Sequence, residues 1–346
     1  VPSSKKPKQA TRADVARLAG VSESTVSYAL TGVRPISEET RERIESAMKE
    51  LGYVPNAMAQ ALAGKRSGIL ALLFPVGERG FNETDFEYVQ AANEAVAEDG
   101  YQLLLWPNAV EDIESLKKIV NQGLVDGVLL MEVRSEDPRV PVLIEAGMPF
   151  CLIGRTEDPS KLTYVDADFS QWGPLAIRHL GDLGHKQVGY IGIADELINV
   201  GYGPGVRTET GLHEEAGRAG ITLHPKHVAA TIRAGRAAME ELLTSTPPVT
   251  AVISLNESAM VGALEVLASH DLSIPEQFSV MSFGISEIAA NMTVPSQTTI
   301  GVEGKDLGRM ADQYLIARLN GDNKSVLQHL SAPVFADRGS TGPAPE

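Results

Sequence analysis

The chain has 346 residues, of which 43% are hydrophobic, with one cysteine and a formal net charge of −15. That length accommodates two or three domains with ample core, and no apolar run approaches the ~18 residues of a membrane-spanning helix. The lone Cys151, inside the apolar run Pro149–Ile153, excludes an internal disulfide and reads as a buried, inert thiol.

The N-terminal stretch VPSSKKPKQ is charged but no apolar segment follows it, so it does not read as a secretory signal and a cytoplasmic location is expected. Residues 1–10 are expected to form a disordered basic tail. From Thr11 the pattern becomes helical. Thr11 is placed to cap a helix with Asp14 three residues on, and Val15, Leu18 and Ala19 form an apolar stripe. Gly20-Val21-Ser22 breaks that helix, and Ser22 can cap the next through its hydroxyl. In the second helix Val26, Ala29 and Leu30 share one face. Ser24, Ser27 and Tyr28 share the other, with Glu23 beside Ser27 and Thr25 between the faces. A helix presenting short polar side chains and one aromatic after a glycine turn suits a DNA major groove. Ser37 caps a third helix with Glu38 and Glu39 in its first turn, buried along Ile44, Ala47, Met48 and Leu51 and ended by Gly52.

After Tyr53-Val54-Pro55-Asn56 comes AMAQALAG, a helical pattern too short to hold by itself in water. The stretch DVARLAGVSESTVSYAL, followed by Val54-Pro55-Asn56-Ala57-Met58-Ala59-Gln60-Ala61-Leu62-Ala63-Gly64, resembles the head and hinge of the lactose-repressor (LacI) family of bacterial transcription regulators. The resemblance implies a helix-turn-helix head over residues 11–54 and a hinge helix over 55–66 that pairs across a homodimer on a palindromic operator. It also implies that Leu62 enters the minor groove as an apolar wedge. The DNA contacts expected on this basis are Thr11, Ser22, Glu23, Ser24, Thr25, Ser27, Tyr28, Arg34, Asn56, Ala59, Leu62 and Lys65. Charge agrees: residues 1–66 hold 11 Lys and Arg against 7 Asp and Glu, a balance of +4 that leaves −19 for the remainder. A basic head on an acidic body touches phosphate with one end only.

From Ile69 short apolar runs alternate with amphipathic stretches. Ile69–Phe74, Gln102–Leu105, Val128–Met131 and Phe150–Ile153 read as buried strands, with helices around 86–98, 111–122 and 140–146 between them. A second set reads as strands at Gln187–Ile193, His227–Thr231, Ala251–Ser254 and Ser279–Phe283, separated by helices near 172–183, 207–219, 235–243 and 258–270, with a last helix near 305–319. The expected fold class is α/β with an all-α head. Residues 67–341 form a two-lobed core of parallel sheets with a cleft beyond the strands' carboxyl ends, and 342–346 a tail. This core resembles the periplasmic sugar-binding fold that follows the hinge in the family. Its phrasing recurs in Leu183-Gly184-His185, Asn256-Glu257-Ser258-Ala259-Met260 and Pro295–Ile300.

The candidate effector contacts lie on loops after strands: Thr84, Asp85 and Phe86, then Glu132, Arg155, Arg207, Asn256 and Glu257. Asn256 matches a family ligand contact. Arg207 lies four residues before Gly211, where the family's arginine stands three before, and Glu257 stands where aspartate is usual. Gly284-Ile285 occupies the place where the family commonly has an aspartate that grips sugar hydroxyls. Losing that carboxylate disfavours simple hexoses unless another acid replaces it. A neutral, larger saccharide is therefore weighed first and a sugar phosphate second. GYGPG at 201–205 fits neither phosphate-loop spacing and reads as a cleft loop. His224 and His227 lack a third metal ligand, and no nucleophile elbow appears, so no cofactor, metal or catalytic set is expected. The leading expectation is an effector-controlled dimeric repressor; a sugar-binding or sugar-modifying protein with a non-functional head is the alternative.

Overall fold

The computed structural model describes residues 10–31, 34–53, 66–74, 83–322 and 325–345. Its contacts divide the chain into a unit of Val1–Gly68 with Gln122–Asp126, and a unit of Ile69–Asn121 with Gly127–Glu346. Residues 1–9 of the tail expected over 1–10, residue 54 of the expected head, and 55–65 of the hinge expected over 55–66 lie outside the described residues.

In the first unit, α1 (Arg12–Ala19) begins with a full capping box. The Thr11 hydroxyl accepts the Asp14 N–H at 3.3 Å, and the Thr11 N–H donates to the Asp14 carboxylate at 3.0 Å. Gly20, at φ +66°, ends the helix in the left-handed conformation that only glycine adopts freely. The Ser22 hydroxyl accepts the Thr25 N–H at 3.1 Å to start α2 (Glu23–Thr31). Ser37 caps α3 (Glu38–Leu51), which Gly52 closes. Val15, Ala16, Ala19, Val26, Ile44 and Ala47 form the core of the three helices. Leu18 departs from the expected stripe and is 45% exposed, while Ala16 takes its place inside. At ~100° per residue the buried face centres between Val15 and Ala16, so Leu18 points roughly 110° away from it.

The second unit contains two parallel sheets. In the first lobe β1 (Ile69–Leu73), β2 (Gln102–Trp106), β3 (Gly127–Leu130), β4 (Phe150–Ile153), β5 (Tyr164–Ala167) and β11 (Gln328–Ser331) run in the order β11-β5-β4-β3-β1-β2. Around them pack α4 (Glu83–Glu98), α5 (Ile113–Asn121), α6 (Arg139–Glu145) and the late helix α13 (Gly304–Leu319), whose Leu307, Ala311 and Leu315 join Leu70, Leu72 and Leu129 in one core. In the second lobe β6 (Gln187–Gly192), β7 (Thr222–His227), β8 (Ala251–Ser254), β9 (Ser279–Phe283), β10 (Thr298–Gly301) and β12 (Val334–Ala336) run β12-β10-β9-β8-β6-β7, only β12 being antiparallel. Its helices are α7 (Trp172–Asp182), α8 (Asp195–Asn199), α9 (Gly203–Ala219), α10 (Ile232–Leu243), α11 (Glu257–Ser269) and α12 (Glu287–Asn291). The chain passes between lobes at 168–171, 302–303 and 332–333.

Several segments differ from the expected pattern. The strand expected at His227–Thr231 lies earlier, at Thr222–His227, because this edge strand is half exposed, carries Pro225 and has little apolar signal. β5, β10, β11 and β12 are strands of three or four residues, too short for alternation to mark them. GYGPG is not a free loop: from Gly203 it forms the first turn of α9, with Pro204 where its missing N–H costs no helical bond.

Candidate functional site

On the head, Glu23 and Ser24 are exposed and Ser27 and Tyr28 are half-buried on α2. The Glu23 carboxylate stands 3.6 Å from the Arg12 guanidinium, and Arg34 lies 5.4 Å from the centre of the Tyr28 ring. Thr11, Ser22 and Thr25 are drawn into local bonding, with Ser22 Oγ 2.7 Å from Ser24 Oγ and 2.8 Å from Thr25 Oγ1. These hydroxyls thus hold the helix starts in place. The expected contacts Asn56, Ala59, Leu62 and Lys65 lie outside the described residues.

Between the two lobes lies a cavity of about 160 Å³. Phe169, Trp172 and Phe283 form one wall, with ring centres 4.4 Å apart for Phe169–Trp172 and 6.0 Å for Trp172–Phe283. Aliphatic side chains such as Met131, Ile193 and Leu255 fill in around them. The polar wall is acidic: Asp85, Glu132, Asp166 and Glu257 line it, and among the described lining residues there is no Lys, Arg or His.

Five of the expected effector contacts line this cavity: Thr84, Asp85, Glu132, Asn256 and Glu257. Three do not. Phe86 is 50% exposed, because its neighbour Asp85 takes the inward direction on α4 and successive helical residues diverge by ~100°. Arg155 and Arg207 bind the cavity's own acid, with Arg155 Nε 3.6 Å and Arg207 Nη1 3.8 Å from Asp166 Oδ2. Arg207 also donates to the Arg155 carbonyl at 2.9 Å, crossing from one lobe to the other. Asn256 has its amide fully engaged: its oxygen caps α11 by accepting the Ala259 N–H at 3.2 Å, and its nitrogen donates to the Val228 carbonyl at 3.0 Å.

Two hydroxyls and a backbone bond tie the lobes together across the cavity. The Thr84 hydroxyl donates to Glu257 at 3.1 Å and accepts the Ser286 N–H at 2.9 Å. On the other side the Tyr202 hydroxyl donates to Glu132 at 3.2 Å, and the Ser135 N–H to the Gly201 carbonyl at 2.7 Å. Sequence reasoning missed Asp166 and the aromatic wall. Asp166 is buried, and burial pushes its carboxyl up to about 7 against the opposing pull of Arg155 and Arg207. Gly284, at φ +62°, abuts the indole of Trp172: a Cβ there would stand 2.9 Å from Trp172 Cζ3. Trp172 therefore fills the space that a side chain at position 284 would need.

Away from the cavity, His227 is held between Asp195 at 2.7 Å and Glu209 at 3.1 Å, while His224 pairs with Gln187 at 2.8 Å. No group of three or more metal-ligating side chains occurs among the described residues. Cys151 is buried, and burial pushes its thiol well above the usual range. No described helix is long and apolar enough to cross a membrane.

Residues 11–56 match the family described as bacterial regulatory proteins, lacI family, and residues 177–341 match a periplasmic binding protein-like domain. The HTH-type transcriptional regulator CelR of Thermobifida fusca is 31% identical over 317 residues, covering 89% of this chain and 91% of that protein. The solved structure of a CelR–cellobiose complex superposes with a TM-score of 0.71 at 28% identity, covering 96% of this chain and 99% of the other. The lac repressor dimer bound to operator and the anti-inducer ONPF gives a TM-score of 0.82 at 22% identity, over 97% and 100% of the two chains.

Proposed function

Because the chain belongs to the LacI family of bacterial regulatory proteins, we propose that it represses transcription as a homodimer whose operator affinity is set by a saccharide in the interlobe cavity. Family membership makes it a DNA-binding transcriptional regulator, not an enzyme. In this proposal the head spans 11–54 and reads a palindromic operator through α2. The hinge of 55–66, with Asn56, Ala59, Leu62 and Lys65, carries the minor-groove contacts, and 67–341 holds the effector. A protein working on a bacterial operator acts in the cytoplasm.

The observation that carries the effector assignment is the cavity wall: aromatic faces and carboxylates, with no cation among the described lining residues. Aromatic faces cover the apolar side of a sugar ring, and carboxylates accept its hydroxyl hydrogens. A phosphate beside four carboxylates is unfavourable, which places a neutral sugar ahead of a sugar phosphate. At about 160 Å³ the cavity is similar to one of ~150 Å³ that holds a single benzene ring, so it encloses one ring of such a ligand. The cross-lobe bonds of Thr84 and Tyr202 supply the coupling: an effector that favours one lobe arrangement shifts its population and so the operator affinity.

A gel shift on the DNA upstream of its own gene, with and without a panel including cellobiose, D-glucose, D-ribose and D-glucose 6-phosphate, tests the proposal. A retarded band that a neutral sugar changes supports it. Absence of retardation, or a response to the phosphorylated sugar alone, overturns it.

A further inference from the structure

We propose that Trp172 and Asp166 form the recognition pair of the cavity, Trp172 donating its indole N–H to an oxygen of the effector and Asp166 accepting a hydroxyl hydrogen from the same sugar ring. This rests on reading the cavity as the effector site and identifies which groups do the choosing.

The argument begins with hydrogen-bonding capacity. Trp172 is 3% exposed, and its Nε1–H finds no acceptor among the described residues. Buried donors in native proteins nearly always have partners, and an exception on a cavity wall points to a bond completed by what enters. Asp166 is also 3% exposed. Its Oδ1 takes the Ala167 N–H at 2.9 Å, but its Oδ2 accepts no hydrogen bond from the described residues, since Arg155 and Arg207 stand off at 3.6 and 3.8 Å. Three other wall groups have partners: Asn256 in the backbone, Thr84 in Glu257 and Ser286, and Glu132 in Tyr202. Two residues that line the cavity thus hold one donor and one acceptor without a hydrogen-bond partner among the described residues.

Their placement in the chain matters as much. Asp166 lies at the end of β5 in the first lobe and Trp172 opens α7 in the second, with only residues 168–171 crossing between. A ring bonded to both therefore spans the crossover. Gly284 is part of the device. A side chain there would collide with the indole, so the lack of one at 284 and the tryptophan at 172 belong together. The ligand must then offer an oxygen to the indole N–H of Trp172 and a hydroxyl hydrogen to Asp166.

Thermal shift and titration calorimetry on the full chain test the pair, with cellobiose, D-glucose, D-ribose and D-glucose 6-phosphate as probes. Each variant is read against its own unliganded melting temperature and its operator gel shift, which report folding. For whichever neutral sugar stabilises the unaltered protein, Trp172→Phe keeps the ring but removes the donor and should weaken binding about tenfold. Asp166→Asn should weaken it by at least about tenfold, since a carboxylate is the stronger acceptor. Affinity in the unaltered protein should rise between pH 6 and 8 as Asp166 ionises, and this slope should vanish in Asp166→Asn. The charged and titratable groups around Asp166 are Arg155, Arg207, Asp168 and Tyr88, so loss of the slope in this one variant assigns it. If a sugar stabilises the unaltered protein and both variants equally, the pair is wrong and the saccharide reading survives. If none of the sugars stabilises the unaltered protein, both fall.

Discussion

In the head, polar side chains find their partners within about a dozen residues of chain. Thr11 and Asp14 close a capping box, Ser22 starts α2, Ser37 starts α3, and Glu23 rests against Arg12, all at the surface. In the cavity the reverse holds: Trp172 Nε1 and Asp166 Oδ2 are buried, and neither finds a hydrogen-bond partner among the described residues. The head is built to be stable while presenting its polar face to a polyanion in water. The cavity keeps buried polar groups unsatisfied at a cost in stability.

The sharpest way to break this contrast is to empty the head's core. Ile44 is 1% exposed, and Ile44→Ala should destabilise the head by about 2–5 kcal/mol, a large share of what a three-helix unit has. Operator binding should be lost while stabilisation by the sugar persists. Gel shift and thermal shift on one preparation check both halves, and loss of sugar binding too would mean the two functions are not separable. A smaller effect tests the electrostatic side. Operator affinity should fall steeply with salt, and Arg34→Ala should reduce the slope of log affinity against log salt by about one unit at most. An unchanged slope would mean that Arg34 works only as the cation over Tyr28.

The same contrast explains what the sequence could reveal. Head elements rest on local rules such as caps, a glycine turn and an i, i+4 stripe, and these are legible within ten residues. Only Leu18 was misplaced, by rotation about one helix axis. The lobes' long buried strands were legible too, because runs such as Leu70–Leu73 are apolar throughout. Edge strands with few apolar residues were not. The cavity was half legible. Loop position found Thr84, Asp85, Glu132, Asn256 and Glu257, but burial decides what each does, and Asn256 turned out to be a scaffold amide. Asp166 sits in the four-residue strand YVDA, and the approach of Trp172 to Gly284 joins residues over a hundred positions apart. Nothing in the local pattern announces either. The sole hint was that Gly284 left a gap, and Trp172 is one of only two tryptophans available to fill it.

The cavity's cost should also appear without any ligand. Burial raises the Asp166 carboxyl to about 7, above its ordinary value near 4, so the folded state holds that proton more tightly than the unfolded chain does. The penalty is therefore absent below about pH 4, grows as pH rises, and is complete above about 7. Asp312, also buried and pushed up to about 7 beside Asp99, adds in the same direction, so the measurement must be a difference between variants. Asp166→Asn should melt progressively higher than the unaltered protein between pH 5 and pH 7.5, by a few degrees. A gap that stays constant with pH would show that Asp166 does not titrate in this window.

The smallest expected effect on stability lies on the head, and it separates folding from reading. Arg12 and Glu23 are about half exposed at 3.6 Å, a pair that solvent screens well. Glu23→Gln should therefore leave the melting temperature within the equivalent of about 0.5 kcal/mol. Its effect on DNA should be larger. A glutamate at the first position of α2 can accept from the amino group of cytosine and repel phosphate, so the expected result is a preference for C at one half-site position and a lower non-specific affinity. Glutamine both donates and accepts, which relaxes the preference. Selection from a randomised half-site library should return a weaker C requirement for Glu23→Gln together with tighter binding to unrelated DNA. An identical base profile would place Glu23 outside the groove, its carboxylate a surface partner of Arg12 and nothing more.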